Sequence, residues 1–200
     1  MLALPPCSGS FVLTDINTGK VKALVSYPGY DANQINNVSY YASLINNSSS
    51  PLYNRATQQT LAPGSTFKPI SAIAGLEEGV IDADTYITDY VEYTKVVPHA
   101  NCWNSAGHGT INVEQAIEYS CNYFFYEVGY RLGSKNNTTE LSDSTGLALL
   151  AKYAKMFGLD SVSGLELPET TPRISDESVV RSAIGQATHN YTAAELARYV

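Results

Sequence analysis

Hydrophobic and polar positions follow two different periods along the chain. The runs on either side of residues 17–20 are rich in β-forming residues, and the Asn and Gly between them favour a hairpin turn. The next segment, 31–50, is crowded with Asn and Ser and predicts a loop or a short, irregular surface helix. Beyond residue 62 the apolar positions recur mainly with a helical period. The pattern therefore predicts a short hairpin, a long polar connection and a mostly helical region.

Helical periodicity is found in several separate segments, and three of them end at a glycine, the residue that most often closes a helix. The segments are 69–79, 111–119, 123–129, 145–158 and 192–200. A second polar stretch, 134–144, precedes the fourth of them. The sequence shows no internal repeat and no heptad run, which argues against a solenoid and a coiled coil.

Composition excludes some classes of function. The chain has 200 residues, 44% of them hydrophobic, which is enough for a substantial core and suggests one domain or part of one. A net charge of −7 argues against a nucleic-acid surface, because phosphate binding needs clustered Lys and Arg. No run approaches the roughly 20 apolar residues that span a bilayer, and the start of the chain is too short for a signal peptide.

The segment Ser65-Thr66-Phe67-Lys68 places a hydroxyl and an amine one helical turn apart. Residues i and i+3 share a face of a helix, so Lys68 is expected to bring its nitrogen to the oxygen of Ser65. The helix that follows has small and apolar residues on both sides and is predicted to be buried. This spacing suggests a serine nucleophile with a lysine base in an acyl-transfer enzyme. The alternative, a capping serine followed by a solvated lysine, is more common for an isolated S-x-x-K.

A second polar group, Ser120-Cys121-Asn122, lies between two helical segments. Residues two apart on a continuous helix point away from each other. Ser120 and Asn122 can therefore share a target only if a tight connection interrupts the helix between them. The alternative interpretation is a serine or asparagine cap at a helix junction.

Together these motifs resemble the transpeptidase domain of penicillin-binding proteins. The residues that carry the resemblance are P-G-S-T-F-K at 63–68 and S-C-N at 120–122. Weaker matches are the segments 10–28, 51–56, 102–109, 164–169 and 184–186. The resemblance runs from about residue 10 to the end and is closest to the monofunctional, class B type. It implies residues 1–9 as a leader or expression-derived segment and 10–200 as the N-terminal part of the domain.

The fold that the resemblance implies is α+β, a partial serine transpeptidase/β-lactamase-like fold with a β-hairpin and a mainly helical subdomain. The implied activity is that of a peptidoglycan D,D-transpeptidase. Ser65 would attack the stem peptide before its last D-alanine, and Lys68 would take the Ser65 proton. Ser120 would pass a proton to the departing amine, and Asn122 would hold the substrate amide. No cofactor is implied.

The resemblance also implies partners and a location. The expected partners are peptidoglycan stem peptides, β-lactam antibiotics and other cell-wall synthesis proteins, and nucleic acid is not among them. The catalytic domain would lie on the extracytoplasmic side of the cell membrane, held by an anchor upstream of this chain.

The chain departs from the family pattern at several positions. It has no K-T-G motif, and it ends at Val200 within the predicted last helix. We therefore expect an incomplete catalytic domain that is crippled when alone, unless another chain supplies the missing strand. Ala187 stands where the family usually has a second glycine, and Ala193 where it usually has proline.

Two other functions are compatible with parts of the pattern. A class D β-lactamase or β-lactam sensor shares S-T-F-K but usually carries Ser-x-Val in place of 120–122, so Asn122 favours the transpeptidase. A non-catalytic scaffold of a cell-wall synthesis complex would not require Ser65, Lys68, Ser120 and Asn122 together.

The cysteines and histidines leave further possibilities open. Cys102 and Cys121 could form a disulfide if their α-carbons came within about 7 Å, although buried free thiols are the default expectation. Cys121 as a nucleophile has no histidine near it in sequence. A metal site of His99, Cys102 and His108 is not adopted, because the spacing is irregular and no fourth ligand is evident.

Overall fold

A computed structural model describes residues 7–134 and 140–200. The chain divides into two compact units. The first comprises residues 1–61, 161–172 and 191–200, and the second comprises 62–160 and 173–190. Most of the expected leader, residues 1–6, and part of the second polar stretch, residues 135–139, lie outside the described residues. The motif residues 63–68 and 120–122 all belong to the second unit.

The first unit contains the predicted hairpin. Strand β1, Gly9–Thr14, pairs antiparallel with β2, Val21–Tyr27, with an irregularity after Leu13. In the turn, Asp15 Oδ1 accepts hydrogen bonds from the backbone nitrogens of Asn17 and Thr18, each at 3.0 Å. Side-chain bonds of this kind stabilise the reversal of the chain. The hairpin prediction is confirmed.

Short helices complete the first unit. The segment 31–50 holds a 3₁₀ turn, Ala32–Gln34, and helix α1, Val38–Ile45, so the surface-helix alternative is correct. Helix α2 is Arg55–Gln58, and strand β3, Thr60–Leu61, pairs antiparallel with β8, Tyr191–Thr192. Helix α8, Ala193–Tyr199, begins with a capping box in which Thr192 and Glu195 bond each other's backbone nitrogens.

The second unit is mainly helical, as predicted. Its helices are α3, Lys68–Glu77; α4, Val113–Glu118; α5, Asn122–Gly133; α6, Asp143–Met156; and α7, Val179–Ser182. Its strands pair as β4, Ile87–Asp89, with β7, Gly109–Ile111, and as β5, Glu92–Tyr93, with β6, Ala100–Asn101. These strands were not predicted, because two or three residues are too few to show an alternating pattern.

Helix α3 lies in the core of the second unit and packs against α5 and α6. Its side chains Ile70 and Ala74 are fully buried, as are Phe124 and Phe125 on α5. A Cβ placed on Gly75 would lie 3.0 Å from side-chain atoms of both Ile81 and Val128, so even a methyl group would crowd this contact. Burial of each large apolar side chain contributes about 1.5–3 kcal/mol. The helix that follows residues 63–67 is therefore held in the core by its packing on α5 and α6.

The structure is an α+β fold with helices predominating, in agreement with the sequence prediction. Within residues 7–134 and 140–200, no helix is both long enough and apolar enough to cross a bilayer.

Candidate active site

The first motif forms a tight turn that leads into α3. A 3₁₀ turn, Gly64–Phe67, holds Ser65 at an exposed position, while the neighbouring Phe67 is fully buried. Gly64 has φ +58° and donates its N–H to Gly185 O at 2.9 Å. A Cβ on Gly185 would collide with the Gly64 carbonyl oxygen. The backbone on the N-terminal side of Ser65 is thus held by a contact that only glycine permits.

The second motif interrupts the helix as the sequence predicted. Helix α4 ends at Glu118 and α5 begins at Asn122, with Cys121 as its N-cap residue. Ser120 lies between them with φ +52°, in the left-handed region. Its N–H donates to Ile117 O at 3.1 Å, and the next N–H, that of Cys121, donates to Ala116 O at 2.9 Å. These bonds close α4 and turn Ser120 and Asn122 toward the same target.

That target is the amine of Lys68, whose side chain is only 2% exposed. Lys68 Nζ donates to Ser120 O at 2.6 Å, to Ser120 Oγ at 3.0 Å and to Asn122 Oδ1 at 2.7 Å. Ser120 Oγ in turn donates to Ser65 Oγ at 2.8 Å. The structure therefore brings together all four residues that the two motifs singled out. Three acceptors around Nζ match the three N–H groups of a charged ammonium.

The contact between Lys68 and Ser65 differs from the one expected from sequence. Among the described residues, no hydrogen bond joins Lys68 Nζ directly to Ser65 Oγ, and the two are connected through Ser120 Oγ. The reason lies in the junction between α4 and α5. Its carbonyl, hydroxyl and amide oxygens offer the ammonium three acceptors, which together take all of its protons.

Burial lowers the pKa of Lys68 from 10.5 to about 8, while the nearby thiols Cys121 and Cys102 act in the opposite direction. The ring of Phe125 lies 5.8 Å from Nζ and contributes to the apolar surroundings. With a pKa near 8, about a tenth of the molecules carry a neutral amine at pH 7. Lys68 can therefore both donate hydrogen bonds and accept a proton near neutral pH.

Next to this site the two buried cysteines form a second polar cluster. Cys102 Sγ and Cys121 Sγ lie 4.0 Å apart, and both are free thiols. Asp89 Oδ2 accepts from His108 Nδ1 at 2.7 Å and from Cys121 Sγ at 3.4 Å. The hydrogen bond between the thiols lowers the pKa of Cys102 and raises that of Cys121.

This cluster also offers donors for a metal ion. The ligand atoms of Asp89, Cys102, His108 and Cys121 all lie within 4.8 Å of one another. Thiolate, imidazole and carboxylate ligands in a group of four suit Zn²⁺. Asp89 and Cys121 are the donors that the sequence analysis did not connect to Cys102 and His108. His99, which it did consider, instead lies 3.0 Å from Glu92 Oε1 at the surface.

Other residues near the site were missed by the sequence analysis. His189 is buried against the Phe67 ring, with centroids 4.2 Å apart, and burial lowers its pKa to about 4. Its Nδ1 accepts from Ser175 N at 3.1 Å, so a neutral imidazole supports the turn that carries Ser65. Trp103 Nε1 donates to Ser120 O at 3.0 Å. Trp103 lies within segment 102–109, one of the weaker matches, and His189 lies in none of them, and neither position in the sequence indicated these contacts.

The fold and the site define a protein in which two serine hydroxyls and a buried lysine amine are hydrogen-bonded at the junction between two helices. The sequence model of the penicillin binding protein transpeptidase domain matches residues 9–200. The chain therefore belongs to this family, in agreement with the resemblance seen in its motifs.

Known proteins show the same relationship. The peptidoglycan D,D-transpeptidase MrdA of Escherichia coli K12 is 35% identical over 163 residues, which are 79% of this chain and 24% of that protein. PBP2 of Pseudomonas aeruginosa, solved in complex with WCK 5153, has a TM-score of 0.81 and 26% identity, covering 96% of this chain and 45% of that one. An imipenem acyl-enzyme complex of penicillin-binding protein A from M. tuberculosis gives a TM-score of 0.78 and 29% identity, with coverages of 95% and 44%. The chain spans about a quarter of the length of the first curated relatives it matches.

Proposed function

We propose that this chain carries the acylation site of a peptidoglycan D,D-transpeptidase that cross-links the cell wall through an acyl-serine intermediate. The observation that carries the proposal is the unbroken line of polar atoms from Ser65 Oγ through Ser120 Oγ to Lys68 Nζ, with steps of 2.8 and 3.0 Å. A serine hydroxyl is a weak nucleophile at neutral pH and needs a nearby base. The lowered pKa of Lys68 makes its amine suitable for that role.

In the proposed reaction, Ser65 Oγ attacks the carbonyl carbon that precedes the terminal D-alanine of a stem peptide. With Lys68 neutral, the two hydroxyl groups rotate so that Ser65 donates to Ser120 Oγ and Ser120 donates to Lys68 Nζ. The Ser65 proton then moves to Ser120 Oγ as the Ser120 proton moves to Lys68. An Oγ–C bond forms, the C–N bond breaks, and the departing amine receives a proton back through Ser120. An amine of a second stem peptide then displaces Ser65 from the ester, which forms the cross-link and returns the serine.

Other groups stabilise charge and orient the substrate in this proposal. Ser65 stands in the first turn of the helical segment, where the backbone N–H is not used by the helix and the dipole favours negative charge. Its N–H would supply one donor to the oxyanion. Asn122 donates nothing to Lys68, since its Oδ1 accepts at 2.7 Å. The Asn122 amide nitrogen carries two N–H donors, and we assign one of them to a substrate carbonyl.

The two alternative functions have less support. Relatives along most of the chain are named transpeptidases, which favours cross-linking over a class D β-lactamase or β-lactam sensor. A scaffold module would need no line of hydrogen bonds between a serine and a buried lysine. Among relatives of this fold, Helicobacter pylori PBP2 has been solved in complex with MreC. We therefore include cell-wall synthesis proteins among the partners, and we place the domain on the extracytoplasmic side of the membrane, where peptidoglycan lies.

Intact-mass spectrometry after incubation with benzylpenicillin tests the proposal. We expect one covalent adduct on the wild-type protein, formed more slowly on the chain as given than on the full-length protein, and none on Ser65→Ala, with circular dichroism confirming that the variant is folded. Lys68→Ala should also lose the adduct, whereas Ser10→Ala, in strand β1, should keep it. The measurement is made on the chain as given and on the full-length protein. An adduct that persists in Ser65→Ala, or its absence from both wild-type forms, would contradict the proposal.

A further inference from the structure

Trp103 contacts the centre of the site, yet the proposed reaction gives it no role. It is the only tryptophan of the chain, and although its side chain is 64% exposed, Nε1 donates to Ser120 O at 3.0 Å. The same oxygen accepts from Lys68 Nζ at 2.6 Å. A carbonyl oxygen has two lone pairs, so both acceptor positions of Ser120 O are occupied. Trp103 and Lys68 therefore hold one carbonyl group between them.

The Ser120 backbone needs such support. A residue other than glycine with φ +52° is strained by about 1–2 kcal/mol, and the conformation persists only where neighbouring groups enforce it. On the amide side, the bond from Ser120 N to Ile117 O fixes the end of α4. On the carbonyl side the donors are Lys68 and Trp103.

These two donors behave differently during the reaction. When Lys68 is neutral, its lone pair faces Ser120 Oγ and its two N–H groups remain for Ser120 O and Asn122 Oδ1. Without the positive charge, the bond from Lys68 to Ser120 O is weaker. The indole N–H of Trp103 does not titrate, so its bond to Ser120 O is present in both states of the lysine.

Trp103 is itself held in place. Its ring meets His108 edge to face, with centroids 5.3 Å apart and an interplanar angle of 64°. His108 is bonded to Asp89 at 2.7 Å, and the residue before Trp103 donates its N–H to Val91 O at 2.7 Å. An exposed side chain with this support can act as a fixed donor.

We infer that Trp103 is a positioning residue for acylation. Its indole N–H holds the Ser120 carbonyl group so that Ser120 Oγ keeps its contact with Ser65 while Lys68 is neutral. The effect on acylation rests on the proposed function, whereas the hydrogen bond itself does not. A neutral hydrogen bond of this kind corresponds to about a three- to tenfold change in a rate constant. Because the N–H points at protein, β-lactam affinity before acylation should stay the same.

The first test removes only the N–H. Benzothienylalanine, introduced at position 103 by amber suppression, keeps the ring size and replaces the N–H by sulfur, while fluorotryptophan keeps the N–H. Stopped-flow kinetics with a fluorescent penicillin separate the acylation rate constant from the dissociation constant. We expect the sulfur analogue to slow acylation about three- to tenfold with the dissociation constant within about twofold, and fluorotryptophan to behave as wild type. Unchanged acylation, or a change in the dissociation constant alone, would overturn the inference.

A matched variant separates the hydrogen bond from aromatic packing. Tyr119 also stacks on His108, with ring centroids 6.1 Å apart and an interplanar angle of 6°. Tyr119→Leu removes that contact and leaves the bond between Trp103 and Ser120 intact. We expect acylation close to wild type. Slowing equal to that of the sulfur analogue would assign the effect to packing and refute the role of the N–H.

An NMR measurement decides the question even if no β-lactam acylates the protein. Since Trp103 is the only tryptophan, the chain gives a single indole N–H signal. We expect its hydrogen exchange to be at least about tenfold slower than in a free indole, and the Ser120 amide signal to move in the sulfur analogue. Exchange at the free rate, or an unmoved Ser120 signal, would overturn the inference. Loss of acylation in the wild type with these signals present would instead contradict the proposed function.

Discussion

Titration of Lys68 should control the rate of acylation between pH 6 and pH 9. The side chain is 2% exposed, and burial lowers its pKa from 10.5 to about 8. At pH 6 about 1% of the amines are neutral, at pH 7 about 9%, and at pH 9 about 90%. An unperturbed lysine would be neutral in only about one molecule in three thousand at pH 7. We therefore expect acylation by a β-lactam to rise about tenfold per pH unit up to pH 7 and to level off above pH 8.

The assay is the second-order rate constant for a fluorescent penicillin, measured by stopped flow at constant ionic strength. Lys68→Arg provides the control, because a guanidinium stays protonated throughout this range. It should abolish the rise as well as most of the rate. A wild-type rate that does not change between pH 6 and pH 9, or one still rising tenfold per unit at pH 9, would refute the role of Lys68 as a base tuned by burial.

The same pKa predicts a stability effect that needs no substrate. Lys68 has a lower pKa in the folded state than in the unfolded state, so below pH 8 both states are protonated and the cost of burying the charge is fully present. Between about pH 8 and pH 10.5 the unfolded state binds more protons, and stability rises with pH. The gain is at most about 3 kcal/mol. Urea unfolding of wild type and Lys68→Met across this range isolates the effect, because the other titrating groups are common to both. If the difference in unfolding free energy between wild type and Lys68→Met does not change with pH, the reasoning is contradicted.

Further predictions follow from single contacts. Gly185→Ala should lower stability more than Gly79→Ala, since both have positive φ but only Gly185 faces a backbone oxygen, and chemical unfolding compares them. Equal losses of stability in the two variants would show that the backbone moves to relieve the clash with the Gly64 carbonyl oxygen. Asn122→Ala removes an acceptor of the Lys68 ammonium and should move the rise in acylation rate about one pH unit lower, as read from the same kinetic profile. If the dependence of the acylation rate on pH is the same in Asn122→Ala as in wild type, the prediction is wrong. Cys7 is exposed and should react with a thiol reagent at once, whereas the two buried cysteines should react only on unfolding. Rapid reaction of all three thiols in the folded protein would show that Cys102 and Cys121 are not buried.

Local periodicity predicted most of the fold, because each long element is specified by its own residues. The turn at 17–20, the helix begun by Lys68 and the break at Ser120 are all short-range features. The strand pairs β4–β7 and β5–β6 depend instead on contacts between distant segments of two or three residues each. Their formation is decided by tertiary packing, which a single sequence does not display.

The residues of the candidate site were predicted from the sequence, but the hydrogen bonds between them were not. The spacing of Ser65 and Lys68 suggested a direct contact, since both stand on one face of a helix. Which acceptor an ammonium chooses depends on every oxygen within reach, and those of Ser120 and Asn122 come from a segment more than fifty positions away. The contribution of Trp103 has the same origin. Sequence reasoning identified the groups, and only the fold determines which of them meet.

The turn at residues 120–122 explains how one short motif serves two clusters. Because Ser120 is left-handed and α5 starts at Asn122, the side chains of these two residues face Lys68, while Cys121 between them is fully buried against Asp89 and Cys102. The orientation of Ser120 and Asn122 is therefore coupled to the packing of Cys121. A change on the cysteine side, such as a larger residue at 121, must displace the oxygens that hold the Lys68 amine. This coupling accounts for a small side chain at the middle position of the motif.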